Sequence, residues 1–190
     1  MTSPLIVVCD WIPPEFGAVG QYQLASAQEE AAGGRNVTII GLGRQNASAR
    51  ERIGAGELTT VRLARPAFEK GSIFKRAVWA LWTNLAILRA LAAAVRQSPD
   101  CEIKVTGSPP FLSYLVLMWA RLVGRRRVIY RITDFYPETV FAAGKGPWLK
   151  PLTPLFHWLR RRADRIEALG GCQRQRLLES GVDPAGVHVV

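Results

Sequence analysis

Short apolar runs alternate with helix-like segments along almost the whole 190-residue chain, and this alternation constrains the fold more than any other feature. The runs Leu5 to Cys9, Asn36 to Ile40, Val61 to Leu63, Ile103 to Val105, Val128 to Tyr130, Arg165 to Leu169 and Val187 to Val190 read as strands. They lack a strict apolar/polar alternation, so both faces of the sheet they form must be covered. Between them the sequence predicts a helix over Gln21 to Ala32, stopped by Gly33-Gly34, and a long one over Ser72 to Arg96, ended by Pro99. The long helix takes its core face from Phe74, Val78, Leu81, Leu85, Leu88, Ala92 and Val95. A further helix is expected after Ser108, which caps it with Pro109 and Pro110 in its first turn and Gly124 past its end. Helices over Trp148 to Arg162 and Gln173 to Ser180 complete the series, while the polar stretch Gly43 to Thr59 reads as loop or short helix. The fold class is therefore α/β: one Rossmann-like, doubly wound parallel sheet with helices on both faces, spanning residues 1–190 as a single domain.

Composition agrees with a packed domain. Hydrophobic residues make up 48% of the chain and no low-complexity tract interrupts it, which is the balance of a globular protein. The apolar run before Asp10 is too short for a signal peptide or a membrane span, so a cytoplasmic location is expected. Cys9, Cys101 and Cys172 are too few and too scattered for a disulfide framework or a zinc site, and no metal-ligand spacing occurs. Charge is uneven: between Arg121 and Arg165 lie 11 Lys and Arg against 3 Asp and Glu, so this window carries +8 of the chain's +10. Such a patch attracts polyanions, anionic lipid headgroups and nucleic acids among them, or is a solvated basic face. On the long helix, Lys75, Trp79, Trp82, Ala86 and Arg89 form a second stripe that suits either a headgroup interface or the margin of a core.

In parallel sheets, ligands bind beyond the carboxyl ends of the strands, so the loops that follow strands hold the candidate site. Three are distinctive: Pro13-Pro14-Glu15-Phe16-Gly17-Ala18-Val19-Gly20, Thr106-Gly107-Ser108-Pro109-Pro110, and Arg131-Ile132-Thr133-Asp134-Phe135-Tyr136-Pro137-Glu138. All three are expected on one edge of the sheet. The first has two readings: a phosphate cradle at a helix amino terminus, or a tight strand-to-helix connection. Asp134 and Glu138 likewise read either as working carboxylates or as a loop cap and a helix-start charge.

Together these segments resemble the amino-terminal domain of GT-B glycosyltransferases of the glycogen-synthase-like retaining family (glycosyltransferase family 4-like). Pro13-Pro14-x-x-Gly17-x-x-Gly20 matches its proline-led glycine loop, Asp134-x-x-Pro137-Glu138 is similar to its Asp-x-Trp-Pro-Glu signature, and Gly33-Gly34-Arg35-Asn36-Val37-Thr38-Ile39 resembles its entry into the second strand. Tyr136 replaces the commoner Trp, and Gly170-Gly171-Cys172 stands where many relatives carry Ser-Glu-Gly. The resemblance implies sugar transfer from a nucleotide-diphosphate donor, the co-substrate, to an acceptor hydroxyl with retention, and no cofactor or metal ion. It implies catalytic roles for Asp134 and Glu138 and substrate-binding roles for Gly17, Ala18, Gly20, Ser108, Pro109 and Tyr136. Acceptors in such a family are glycans or lipid-linked molecules of the cell envelope, which makes the inner face of an anionic membrane an expected peripheral site. The family's donor domain carries two glutamates eight positions apart, a spacing absent from this sequence. The chain is therefore expected to be the acceptor-side half, inactive without the donor-binding half.

Two other classes fit less of the sequence. A dinucleotide-binding module would carry Gly-x-Gly-x-x-Gly, whereas Gly17-x-x-Gly20 and Gly41-x-Gly43 both lack that spacing. A nucleic-acid-binding module is favoured by the basic window alone, without a recognition helix or a strand platform of interleaved basic and aromatic residues. His157, between Phe156 and Trp158, and His188, in the last strand, read as packing or surface residues.

Overall fold

The computed structural model describes residues 2–65, 73–123, 126–144 and 146–190, apart from the side chains of residues 73, 74 and 76. The expected roles of Ser72, Phe74, Gly124 and Arg125 lie outside these. Among the described residues, β1 (Leu5–Trp11), β2 (Asn36–Gly43), β3 (Ala47–Ile53), β4 (Gly56–Ala64), β5 (Glu102–Thr106), β6 (Val128–Arg131), β7 (Arg165–Ala168) and β8 (Val187–Val189) form one sheet in the order β3-β4-β2-β1-β5-β6-β7-β8. The chain divides into two compact units, Met1–Lys104 and Val105–Val190, with the division inside β5 (Glu102–Thr106).

In the first unit, β1 (Leu5–Trp11) pairs in parallel with β2 (Asn36–Gly43), and β2 pairs in parallel with β4 (Gly56–Ala64). Leu5 through Cys9 are all at most 1% exposed, as a strand buried on both faces requires. Alternate residues Leu5, Val7 and Cys9 pack with Val37, Ile39 and Leu58 under Ala27 and Ala31 of α1 (Ala18–Ala32). On the other face of β1 and β2 lies α2 (Ile73–Gln97). Gly34, at φ +94°, takes the left-handed turn that closes α1.

Two expectations fail here. The stretch from Gly43 to Thr59 is mostly strand instead of loop or short helix: β3 (Ala47–Ile53) pairs antiparallel with β4 around the two-residue turn Gly54-Ala55. Gly54 has φ +58°, the value such a hairpin turn needs. Six of the seven β3 residues are exposed, so this edge strand carries no hydrophobic signal. On α2, the buried face is Thr83, Asn84, Ile87, Leu91 and Val95, while Val78 and Leu81 are exposed. The buried stripe is therefore rotated from the predicted one and includes two polar side chains. By length and composition Ala77–Gln97 would be apolar enough to cross a membrane.

In the second unit, β6 (Val128–Arg131), β7 (Arg165–Ala168) and β8 (Val187–Val189) pair in parallel, with α3 (Leu112–Leu122), α4 (Glu138–Ala142), α5 (Thr153–Arg160) and α6 (Gly171–Glu179) between strands. The predicted helix over Trp148 to Arg162 is two pieces, a 3-10 helix Pro147–Leu152 followed by α5. Pro151 and Pro154 remove the amides that a single α-helix would need there. Ser108 does not cap α3. That helix begins four residues later, with Phe111 as N-cap at φ 65°, ψ 0°. Pro109 lies outside it, its carbonyl accepting from the Leu112 amide at 3.1 Å.

Candidate active site: a clamped loop after β6

The loops after β5 and β6 touch. A Cβ on Gly107 would stand 2.9 Å from Thr133 Oγ1 and 3.3 Å from the backbone N and O of Asp134. Only glycine lets the two segments run this close. Thr106 Oγ1 donates to the Ser108 carbonyl at 2.9 Å, which folds the first segment back on itself. Ser108 is half-buried and Pro109 buried.

Arg160 holds the second segment. It is 1% exposed and donates to Glu138 Oε1 and Oε2 at 3.0 and 3.1 Å, to the Tyr136 carbonyl at 2.9 Å and to Tyr114 Oη at 2.8 Å. Tyr114 also donates to the Tyr136 carbonyl. His157 Nε2 lies 3.1 Å from Glu138 Oε1. The fork of the guanidinium thus joins α5, α3 and the start of α4, setting its two terminal nitrogens against a carboxylate and two further oxygens. Around it the rings of Phe111, Tyr114, Tyr136 and Phe156 pack at centroid distances of 4.9 to 5.7 Å. The left-handed backbone of Phe111, costly for a bulky residue, is held in place by these rings.

The two predicted carboxylates differ. Asp134 is exposed, and among the described residues no hydrogen bond or ion pair reaches its carboxylate, so it is not a loop cap. Its charge, after burial, raises the Tyr136 phenol's pKa. Glu138 starts α4 and has both oxygens engaged. Partial burial alone would push its pKa up, but the hydrogen bonds and charge of Arg160, aided by its backbone amide and His157, hold it below the ordinary value. Burial also opposes the charge on Arg160, and Glu138 overcomes this, so the guanidinium stays charged. Because the carboxyl is more acidic folded than unfolded, its stabilisation is complete above an unfolded pKa of about 4.3 and is lost as pH falls through the lower folded value. Urea midpoints followed from pH 6 downwards should therefore fall on an acid limb that Glu138→Gln flattens; an identical limb in that variant would remove Glu138 as its source.

Arg160 and Tyr114 escape sequence reading. Within Arg160-Arg161-Arg162 the first arginine reads as one of three surface cations, yet it lies four residues after Phe156, on the buried face of α5. That spacing was the available signal. His157 packs against Glu138, and His188 is exposed.

In the first unit, the proline-led loop is tied to the β2–β4 region. Arg62 donates twice to the Pro13 carbonyl, at 3.0 and 2.6 Å, and Glu15 accepts from the Arg44 amide and pairs with its guanidinium, both at 3.1 Å. A cleft of about 590 Å³ lies among Pro14, Glu15, Arg44, Gln45, Ala47 and Arg62. The space left by Gly17 and Gly20 is taken by the Trp11 backbone, whose carbonyl oxygen stands 2.8 and 1.8 Å from the positions their Cβ atoms would occupy. Gly17 is the N-cap of α1 and Ala18 is exposed, so the free amides of the first turn lie at the end of this loop.

The glycosyl transferase 4-like domain family matches residues 17–190. The chain belongs to that family. No curated protein matches the sequence. The fold of this glycosyltransferase domain is that of GT-B enzymes. It is similar to CalG4, the calicheamicin glycosyltransferase, at TM-score 0.59 and 14% identity over 100% of this chain and 53% of that one. It is also similar to the E. coli trehalose-6-phosphate protein bound with UDP-2-fluoro glucose, at TM-score 0.57 and 13% identity over 94% of this chain and 42% of that one. A glycosyltransferase from Rickettsia africae ESF-5 aligns at TM-score 0.52 and 13% identity over 100% and 43%. The domain thus spans about half the length of these proteins or less.

Proposed function

We propose that this domain is the acceptor-side half of a retaining glycosyltransferase, which moves a sugar from a nucleotide-diphosphate donor to a glycan or lipid-linked acceptor. The observation that carries this reading is Asp134: an exposed carboxylate that no hydrogen bond or ion pair reaches among the described residues, beside Gly107, on a loop pinned two residues later by a buried arginine. A carboxylate fixed in that way orients an acceptor hydroxyl and receives its proton as the glycosidic bond forms. Glu138, with both oxygens committed to Arg160 and His157, positions the loop rather than taking the proton. Tyr136, half-buried, offers an aromatic face against which a sugar ring packs. The 42% coverage of the E. coli protein supports a donor grip supplied by a further domain.

The test is transfer from a panel of labelled UDP- and GDP-sugars to a cell-envelope lipid and glycan extract, using the full-length enzyme. Asp134→Asn is expected to lower turnover by about 10²–10⁴-fold, the range for losing a positioned acid–base group. Its melting temperature should be unchanged, since the carboxylate makes no contact to lose. Undiminished transfer in that variant would overturn the role of Asp134.

A further inference from the structure

We propose that the cleft bordered by the proline-led loop of the first unit binds the phosphoryl group of a small phosphate monoester, of the size of a sugar phosphate. The cleft is built from Pro14 and Glu15, from Arg44 and Gln45 after β2, from Ala47 at the start of β3 and from Arg62 near the end of β4. It therefore opens at the carboxyl ends of parallel strands, where sheets of this kind take ligands. On β4, Leu58, Thr60 and Arg62 share one face. Leu58 packs with α1 and Thr60 is buried, so Arg62 emerges at the strand's end beside the loop that leads into α1. Its partner on β3 is Ala47, too short to fill the space next to it.

Both arginines are held in place without being used up. Arg62 is half-buried and gives Nε and Nη2 to the Pro13 carbonyl, a neutral acceptor; among the described residues no carboxylate pairs with it. Arg44 is tied to Glu15 through its backbone amide and Nε, while its side chain stays 86% exposed and no hydrogen bond among the described residues holds its two terminal nitrogens. That pairing neutralises Glu15, so the lining carries two cations against one anion, and Arg62 is the charge left over. A half-buried guanidinium whose only partner is a carbonyl favours an anion at its remaining donor. The arrangement also selects the kind of anion. A carboxylate has two oxygens and one charge, and a single fork serves it. A phosphate monoester presents three oxygens and about −1.5 to −2 charges, which two planar forks from separate strand ends meet together. Gln45 offers an amide donor and acceptor for hydroxyl groups of the organic part, and about 590 Å³ is room for a ligand of that size. None of these residues is used by the transferase reading, and binding needs no turnover, so the two proposals fail separately.

Isothermal titration calorimetry on the full chain tests the proposal, with glucose 1-phosphate, inorganic phosphate and glucose as probes at an ionic strength of about 0.1 M. Glucose 1-phosphate is expected to bind saturably, inorganic phosphate more weakly and glucose not at all. Arg62→Met should weaken glucose 1-phosphate binding about tenfold or more, the effect of losing a hydrogen bond to a charged group. Because that change also frees the Pro13 carbonyl, two further variants separate ligand contact from loop support. Arg44→Ala, at an exposed side chain, should weaken binding about fivefold. Glu15→Gln keeps an acceptor for the Arg44 amide but removes the competing charge, so it should tighten binding about two- to fivefold. A purely structural tie between Glu15 and Arg44 predicts no such gain. Absence of saturable glucose 1-phosphate binding, equal binding of glucose, or an affinity that Arg44→Ala leaves unchanged and Glu15→Gln fails to raise would overturn the proposal. So would binding of UDP tighter than that of glucose 1-phosphate and weakened by Arg44→Ala, since the cleft would then hold a nucleotide diphosphate.

Discussion

Arg160→Ala should destabilise the second unit by about 3–5 kcal/mol, the cost of removing one partner from a buried ion pair. For a chain of this length that lowers the melting temperature by about 10 °C or more. The loss has three sources. Glu138 keeps its charge without its partner, the Tyr136 carbonyl and Tyr114 hydroxyl lose a common donor, and a side chain 1% exposed leaves a cavity among Phe135, Phe156 and Leu159. Arg160→Lys keeps the charge but cannot span Glu138 and the Tyr136 carbonyl with one planar fork, so it should recover only part of the loss. The decisive comparison is a double-mutant cycle. In Arg160→Ala/Glu138→Gln the stranded charge is gone, and the two costs should fall short of additivity by about 1–3 kcal/mol. Strict additivity, or a melting temperature for Arg160→Ala within two degrees of the parent, would mean that the clamp does not hold the loop. Were the clamp to fail, Asp134 would lose its fixed position, and transfer should fall even in molecules that stay folded.

How much of this was legible beforehand depends on what kind of signal each element carries. The buried strands announce themselves as apolar runs because both faces are covered: Leu5 to Cys9 and Ile103 to Val105 are read correctly for that reason. The edge strand β3 is invisible to the same rule, since Ala47 to Arg52 are exposed and include no large apolar side chain; the Gly54-Ala55 turn was its only mark. The two helix differences have separate causes. Ser108 fits every local rule for a cap, but the segment folds onto Asp134 through Gly107, and the helix starts only after Phe111. On α2 the apolar residues outnumber the places in the core, so the pattern cannot say which stripe faces inward, and Asn84 and Thr83 are buried while Leu81 is not. At the candidate site the motif Asp134-x-x-Pro137-Glu138 locates the loop. It does not divide the labour between its carboxylates, because the partner that engages Glu138 lies 22 residues further on.

Gly20→Ala tests the proline-led glycine loop and should be the most damaging single methyl group in the first unit. A Cβ at that position would stand 1.8 Å from the Trp11 carbonyl oxygen and 2.7 Å from its carbon. Both belong to backbone, which cannot swing aside as a side chain end would. α1 must therefore move away from the end of β1, taking with it Gln23, Ala27 and Ala31, which are buried on the same helix. Overpacking of this kind costs typically 1–3 kcal/mol and more when backbone must shift, so about 3 kcal/mol or more is expected here. Alanine's better helix propensity returns only about 1 kcal/mol. Gly33→Ala is the matched control. Its backbone, at φ −72°, suits alanine, and the nearest atom to a new Cβ is 3.5 Å away. Its urea midpoint should stay near the parent's while that of Gly20→Ala drops sharply. Equal midpoints would show that α1 is not seated on Trp11. The proline-led loop would then have freedom to spare, and the glycines would be there for a ligand instead of for the contact that sets where α1 begins.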